Sequence, residues 1–282
     1  MSKKTIFFSL LMILCLCLGA GSQAAGYVLD GRHVLELMLA RMNPADRVQM
    51  EQTLTLFDER FEGGHLAVSQ RVSCKMPARF RSEIQTEKLS RIYVASEGES
   101  LTIVDGKIVS EAGNLAHRYM ELFCWPDRDA LADHLRFMGM DVALSSYGRC
   151  GKEPVYVIGA RYPEKSSPQL WVDKDSLLPV RWILTAAENT GQQESFAFHF
   201  ENWQKSSGSL YPGLIQLFKN GSLVRRIEIH SITANPALPS KLFDIAHLKA
   251  VYTESAQAPG QSGTESDLDR QIQQFRNIFD TQ

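Results

Sequence analysis

Apolar residues recur along this chain with two different periods, and each period predicts a different kind of element. The first stretch has helical spacing and follows Asp30, whose side chain can accept hydrogen bonds from the first turn of a helix. The predicted helix ends near Asn43 and Pro44, and its apolar positions are Val34, Leu35, Leu37, Met38 and Met42. A period of two then begins in "RVQMEQTLTLF", which predicts a strand with one buried face.

Strand follows strand through most of the remaining chain. Apolar residues alternate with polar ones in "LAVSQRVSC", "RFRSEIQ", "RIYVAS" and "LTIVDGKIVSE", and strand patterns resume from "PVYVIGARY" to "LVRRIEIHSI". Asp105-Gly106 and Asn220-Gly221 have the composition of tight hairpin turns. The pattern predicts a mainly β protein with a single antiparallel sheet of about eleven strands, which must curl strongly or close.

A helical stretch interrupts the strands once. Asp127 can cap "DRDALADHLRFMGM", in which Leu131, Leu135 and Met138 lie on one side of a helix. The preceding "NLAHRYMELFCW" is predicted to be partly helical as well. We expect these helical segments to cover the concave side of the curved sheet as a lid.

The two ends of the chain have a different composition from its middle. Two lysines precede an apolar run and then small residues, which is the pattern of a secretory signal peptide, and cleavage after Ala24 fits best. Residues 1–24 are therefore predicted to be a signal peptide and residues 25–252 a single domain. Residues 253–263 are rich in Ser, Gln and Gly and are predicted to be a linker. Residues 264–282 are predicted to form a C-terminal amphipathic helix.

The signal pattern also predicts the compartment. Leu14 precedes Cys15 and Leu16 precedes Cys17, so neither cysteine has the small residue before it that lipoprotein cleavage needs. We therefore expect a soluble exported protein in a bacterial periplasm.

Charge and motifs narrow the classes of function. The formal net charge is −2 and no basic tract is present, so we expect no nucleic-acid partner. The seven histidines have no paired metal-ligand spacing, and the chain has no nucleophile elbow and no phosphate-binding glycine loop. The sequence accordingly predicts a protein that is not an enzyme, with no catalytic residues, no metal and no cofactor.

Three of the five cysteines follow the predicted signal peptide. Cys124 and Cys150 bracket the predicted helix, and an oxidising compartment allows them to form a disulfide bridge. The alternative is that Cys74, Cys124 and Cys150 are all free and serve as small apolar residues. Both interpretations stay open at the level of sequence.

Large apolar side chains share one face of several predicted strands. In "SFAFHFENW", for example, three phenylalanines alternate with smaller or polar residues. One interpretation is an ordinary packed core, and the other is a cavity for acyl chains between the sheet and the helices. The predicted lining of that cavity consists of Phe80, Ile84, Val180, Trp182, Leu184, Phe196, Phe198, Phe200, Ile227 and Ile229.

Several short stretches, in order, resemble one protein family. These are "QTLTLF", "MPARFRSEI", "IVDGK", "PQLWVDKDSLLPVRWIL" and "ITANPALPSKLFDI". Together they are similar to the periplasmic outer-membrane lipoprotein carriers of the LolA/LolB type. The resemblance implies an open, or half, β-barrel of about eleven strands covered by helical lid segments, which agrees with the curled sheet inferred from the strand pattern.

The resemblance also implies a function. A family member is a soluble chaperone that takes acylated lipoproteins at the inner membrane and carries their lipid through the periplasm. The implied partners are acylated lipoproteins, an inner-membrane releasing transporter and an outer-membrane acceptor, and we expect a monomer. The arginine that holds the lid closed in that family matches Arg81, although Arg81 can equally be a surface arginine paired with Glu83 or Glu87.

Three other classes of function remain open. An RseB-like regulator uses a similar half-barrel to sense stray lipoproteins, but it carries a second domain, which the last thirty or so residues are too few to form. An envelope lipid hydrolase would need catalytic residues that the motifs do not show. A scaffold protein would have a filled core and no ligand.

Overall fold

The computed structural model describes residues 28–87, 89–113, 115–187 and 193–255. The predicted signal peptide, most of the predicted linker and the predicted C-terminal helix lie outside these residues. Within the described chain, no helix is both long and apolar enough to cross a membrane.

Three α-helices, fifteen strands and three short 3₁₀ helices make up the described residues. The helices are α1 (Gly31–Met42), α2 (Arg128–Phe137) and α3 (Ile245–Ser255), and the 3₁₀ helices are Glu62–Gly64, Leu115–Phe123 and Ser240–Leu242. The first strands are β1 (Arg47–Phe57), β2 (His65–Lys75), β3 (Arg79–Gln85), β4 (Ser90–Ser96), β5 (Glu99–Val104), β6 (Lys107–Ser110), β7 (Ser145–Cys150) and β8 (Glu153–Ile158). The remaining strands are β9 (Gln169–Asp173), β10 (Pro179–Ala187), β11 (Gln193–Glu201), β12 (Gln204–Ser206), β13 (Ser209–Tyr211), β14 (Leu214–Lys219) and β15 (Ser222–Ala234).

Thirteen strands form one antiparallel sheet in the order β6-β5-β4-β3-β2-β1-β15-β14-β11-β10-β9-β8-β7. The sheet does not close, because β6 and β7 remain as its two edges. The chain between these edge strands contains the 3₁₀ helix Leu115–Phe123 and α2, so it runs across one face of the sheet. We call the face of the sheet that this part of the chain covers the inner face, and the opposite face the outer face. This is the predicted open β-barrel with a helical cover.

Local chemistry fixes the ends of the helices and the tight turns. The Asp30 carboxylate accepts a 2.9 Å hydrogen bond from the Arg32 amide, and Asp127 accepts two from the first turn of α2. At each of the two predicted hairpins, both turn residues have a positive φ, as the tight turns between twisted strands require. Both helix starts and both hairpins are therefore confirmed.

The two faces of the sheet bury different clusters. The main core lies between the inner face and the covering elements, which are α1, the 3₁₀ helix Leu115–Phe123 and α2. On the outer face, Ile245 and Leu248 of α3 pack against Val94, Leu101 and Ile103. A separate outer-face cluster surrounds Trp171.

Some elements differ from the prediction. The main sheet has thirteen strands rather than about eleven, and β7, the small hairpin β12–β13 and α3 were not predicted. β7 is an edge strand whose single buried residue is Gly148, so it carries no apolar alternation. α3 continues to Ser255, so the predicted linker at 253–263 begins inside a helix.

Candidate ligand-binding site

Aromatic side chains from neighbouring strands form a layer on the inner face. Trp182 of β10 stands opposite Phe198 of β11, and their ring centroids are 5.8 Å apart. Phe196 and Phe200 lie on the same face of β11, and all four side chains are almost fully buried. A strand places alternate residues on one face, so the spacing of these aromatic residues creates the layer directly.

The 3₁₀ helix Leu115–Phe123, which we call the covering segment, lies across this inner face. Its Phe123 ring meets Phe200 edge-on at 5.9 Å, and its His117 ring stacks on Tyr93 of β4 at 4.3 Å. Tyr119 meets Phe80 of β3 edge-on at 6.1 Å. The segment therefore reaches from β3 and β4 to β11, and its apolar side chains occupy the space that a ligand on the inner face would fill.

Nine of the ten residues predicted to line a cavity belong to the inner-face core. They are Phe80, Ile84, Trp182, Leu184, Phe196, Phe198, Phe200, Ile227 and Ile229. Val180 instead packs in the outer-face cluster around Trp171, because a bulge between Pro179 and Arg181 breaks the alternation of β10. The structure thus brings nine of these side chains together, in contact with the covering elements.

A cleft of about 460 Å³ opens between the covering segment and strands β3–β5. Phe80, Tyr93 and His117 line it from the inside, and Trp125 and Phe137 lie at the α2 side. The Phe137 side chain is 83% exposed, which is unusual for a large apolar residue. The cleft is the route by which solvent approaches the inner face from this side.

Beside the aromatic layer, the inner face carries a buried polar cluster that sequence reasoning missed. Gln52 donates hydrogen bonds to Gln70 at 2.6 Å and to the Tyr119 hydroxyl at 3.0 Å. Arg91 and Arg225 are each only 1% exposed. The sequence did contain a signal for these buried arginines. Arg91 is two residues from Tyr93 in β4, and Arg225 is two residues from Ile227 in β15, so each arginine lies on the same face as an inward apolar residue.

Burial and the charges of two arginines determine the protonation of this cluster. Burial lowers the pKa of His117 well below its usual value, and the charges of Arg91 and Arg225 lower it further. His117 is therefore neutral at pH 7. Burial raises the pKa of the Tyr119 hydroxyl, so this group also stays uncharged.

Several polar atoms of the cluster have unused hydrogen-bonding capacity. Within the described part of the chain, Gln52 Oε1, Gln70 Nε2, Ser82 Oγ and His117 Nε2 are buried without a hydrogen-bond partner. Such atoms are costly to bury and are usually satisfied by water or a ligand. The inner face thus combines a large apolar surface with polar groups at one side, which is an arrangement suited to an amphiphilic ligand.

Arg81 lies on the outer face, opposite the covering segment. Its guanidinium donates to the Leu242 carbonyl at 3.1 Å and to the Glu83 carboxylate at 2.6 Å. Leu242 belongs to the 3₁₀ helix that leads into α3. The prediction that Arg81 latches the lid over the cavity is therefore wrong, since its strand turns Phe80 and Ile84 inward and Arg81 outward. Arg81 does hold a helix-end carbonyl, but that of a different segment.

For the cysteines, the structure agrees with the second of the two interpretations that the sequence left open. Cys74, Cys124 and Cys150 are all free thiols in this structure, and Cys124 is not bridged to Cys150. Cys124 belongs to the inner-face core together with Cys74, whereas Cys150 packs in the outer-face cluster around Trp171. The sheet therefore lies between Cys124 and Cys150.

Among the described residues, no group of three or more His, Cys, Asp or Glu side chains could hold a metal ion. No protein-family model matches the sequence, and no curated protein matches it.

Solved structures do match the fold. A LolA superfamily protein from Nitrosomonas europaea has 12% identity and a TM-score of 0.53, and the match covers 78% of this chain and 100% of that one. An outer membrane lipoprotein-sorting protein domain from Vibrio parahaemolyticus has 10% identity and a TM-score of 0.51, and the match covers 78% of this chain and 98% of that one. At these identities the likeness establishes the fold, and it confirms the architecture that the sequence motifs implied.

Proposed function

We propose that this protein is a periplasmic carrier that holds the acyl chains of lipoproteins against its inner face and conveys them toward the outer membrane. The observation that carries the proposal is the aromatic layer of Trp182, Phe196, Phe198 and Phe200 beneath a helical cover on an open sheet. Export through a signal peptide cleaved after Ala24 is part of the proposal.

In this proposal, the arrangement of the covering segment against the sheet is the closed state of the carrier. The covering segment buries Met120, Leu122 and Phe123 against the sheet, where an acyl chain would otherwise lie. Because each buried methylene contributes about 0.8 kcal/mol, an acyl chain can offset the loss of these contacts. A 3₁₀ helix has poorer hydrogen-bond geometry than an α-helix, so the backbone hydrogen bonds of this segment oppose its displacement less than those of α1 or α2 would.

The cleft beside the covering segment supplies a path for the ligand. Its volume of about 460 Å³ is within the range of small-molecule sites. Phe137 and Trp125 at its α2 side form an apolar surface to which an acyl chain can bind first. Opening the cleft further exposes Phe80 and Tyr93, and then the aromatic layer.

The fold likeness supports the proposal at the level of architecture. The solved relatives are described as a LolA superfamily protein and a lipoprotein-sorting domain. The ligand class itself is inferred from the apolar inner face, and the partners follow from the ligand. An inner-membrane transporter would load the lipid, and an outer-membrane acceptor would receive it.

A binding and transfer experiment tests this function. A synthetic lipopeptide with two or three acyl chains is mixed with the purified mature protein, and the same peptide without acyl groups is the control. We expect the protein to form a soluble complex with the acylated peptide and not with the control peptide. When outer-membrane vesicles are added, the acylated peptide should transfer from the protein to the vesicles. Equal binding of both peptides would contradict the acyl site. A complex that never releases its lipid would contradict the carrier role and favour a sensor.

A further inference from the structure

Two buried cysteines from distant parts of the chain lie together beside the covering segment. Cys74 is near the end of β2, and Cys124 directly follows the covering segment, with exposed fractions of 2% and 3%. The Ala78 amide, in the turn between β2 and β3, donates a 3.1 Å hydrogen bond to the Cys124 carbonyl. The backbone at Cys124 is therefore tied to the corner where β2 turns into β3.

The side chains converge at the same corner. Cys74 is the register partner of Phe80 across β2 and β3, and Phe80 and Cys124 line the same cleft. Both thiols belong to the inner-face core, and Cys124 lies close enough to Cys74 to change the pKa of its thiol. Burial raises the pKa of the Cys74 thiol well above its usual value, and the Cys124 thiol raises it further. In the closed reduced protein the Cys74 thiol is thus protonated and poorly reactive.

We propose that Cys74 and Cys124 form a disulfide bridge that fastens the end of the covering segment to β2. Each thiol loses one proton and one electron, and a bond forms between the two sulfur atoms. The electron pair passes to the disulfide of an oxidant, either glutathione disulfide or a protein disulfide, which is reduced to two thiols. Exchange proceeds through a mixed disulfide, so it takes place before the covering segment closes or while it is open. Cys150, which is only partly buried, remains a single thiol.

The bridge has a consequence for access to the inner face, and this consequence rests on the proposed function. A bond at Cys124 fixes one end of the covering segment to β2. The segment then opens as a flap that pivots at Cys124, and the cleft at Tyr93 and His117 widens first. The bridge therefore sets the direction from which a ligand reaches the aromatic layer.

Peptide mapping tests the bridge directly. The mature protein, which begins after Ala24 and contains three cysteines, is unfolded in urea with a reductant and refolded in a buffer of reduced and oxidised glutathione. It is then alkylated and digested without reduction. We expect one cross-linked peptide pair containing Cys74 and Cys124, and an alkyl group on Cys150. Cys150→Ser should keep the cross-link, and Cys74→Ser should lose it. Three alkylated cysteines, or a pair that contains Cys150, would overturn the proposal.

Unfolding and binding measurements separate this proposal from the proposed function. Adding a reductant should lower the unfolding temperature by roughly 5 to 15 °C, because the bridge closes a loop of about 50 residues, and it should not do so in Cys74→Ser. An unchanged unfolding temperature in the wild type would contradict the bridge. A bridged protein that binds no fluorescent acyl probe would contradict only the acyl site. A protein that binds the probe but forms no bridge would contradict only the present inference.

Discussion

At the scale of single residues, the face of the sheet on which a side chain lies decides its role. Arg81 and Arg91 are on neighbouring strands and are both almost fully buried. Arg81 points outward to Leu242 and Glu83, whereas Arg91 belongs to the polar cluster of the inner face. A family motif identifies the arginine by its place in "PARFRSE", but only the register shows which helical segment it can reach.

Arg81→Leu should destabilise the protein without changing acyl binding. The substitution removes two hydrogen bonds to a buried guanidinium, and one of them holds the carbonyl that leads into α3. We expect a loss of roughly 1–3 kcal/mol in the free energy of unfolding, measured by urea titration. Arg81→Lys should restore only part of it, because an ammonium lacks the planar fork.

The control for Arg81 is the affinity for a fluorescent acyl probe, measured on the same variants. Since Arg81 lies on the face opposite the covering segment, wild type and both variants should bind the probe equally. A large gain or loss of affinity in Arg81→Leu, at a temperature where the variant is folded, would contradict this placement and indicate that Arg81 does hold the lid closed.

His117 should make stability depend on pH. Its pKa is lowered in the folded state by burial and by Arg91 and Arg225, so the unfolded chain binds the proton more readily. The stability from this group is complete above the unfolded pKa of about 6.5 and is lost as the pH falls below it. His117→Gln should therefore remove about 1 kcal/mol of the stability difference between pH 7.5 and pH 5.5.

Urea titrations at both pH values provide the measurement for His117. His199, whose pKa burial lowers to about 4, should contribute a similar pH dependence on the outer face, so His117→Gln removes only part of the effect. An identical pH dependence in wild type and His117→Gln would contradict the burial of a neutral His117.

At the scale of elements, the covering segment competes with the ligand for one surface. Phe123 is the member of this segment that reaches the aromatic layer, through Phe200, and it also meets Tyr211 of the small hairpin at 6.0 Å. If the closed state reduces the apparent affinity for acyl chains, weakening the cover should raise it.

Phe123→Ala should lower stability and raise acyl affinity together. Truncating a buried phenylalanine costs about 3–5 kcal/mol of folding free energy. Because Phe123 packs on the sheet only when the covering segment is closed, the substitution should destabilise the closed state relative to the open one. We expect tighter binding of a fluorescent acyl probe by fluorescence titration, at a temperature where the variant remains folded. An ordinary core position would show the stability loss with unchanged or weaker binding.

Phe218→Ala is the matched control for Phe123→Ala. Phe218 lies on the outer face of β14 opposite Ala197 and packs on His199 at 4.6 Å. The variant removes the same number of atoms, so it also loses stability. Its acyl affinity should equal that of the wild type, and a gain in affinity there would show that destabilisation alone produces the effect.

The elements that the sequence predicts well are those determined by nearby residues. The caps at Asp30 and Asp127 and the two hairpin turns depend on a few adjacent positions, and the structure confirms them. β7 was missed because an edge strand needs no apolar alternation. α3 was missed because it contacts the sheet through few side chains, chiefly Ile245 and Leu248.

At the scale of the whole molecule, the site is assembled from contacts between distant segments. The curved sheet follows from the number of strands, and alternation placed nine of the ten proposed lining residues together on one face, which is the inner face. The bulge that turns Val180 outward, the meeting of Cys74 with Cys124 and the placing of His117 near Arg91 and Arg225 depend on three-dimensional pairing. Alternation within single segments cannot specify such pairing.

In the proposed function, acyl chains lie on the inner face beneath the covering segment. Photo-crosslinking tests this placement most directly. A lipopeptide with a photoreactive group in its acyl chain is bound to the mature protein and irradiated, and the labelled residues are identified by mass spectrometry. We predict labels on the inner-face strands β10 and β11, at Trp182, Phe196 or Phe198, and on the covering segment. Labels confined to the outer face around Trp171, or no more labelling than with a non-acylated photoreactive peptide, would contradict the claim.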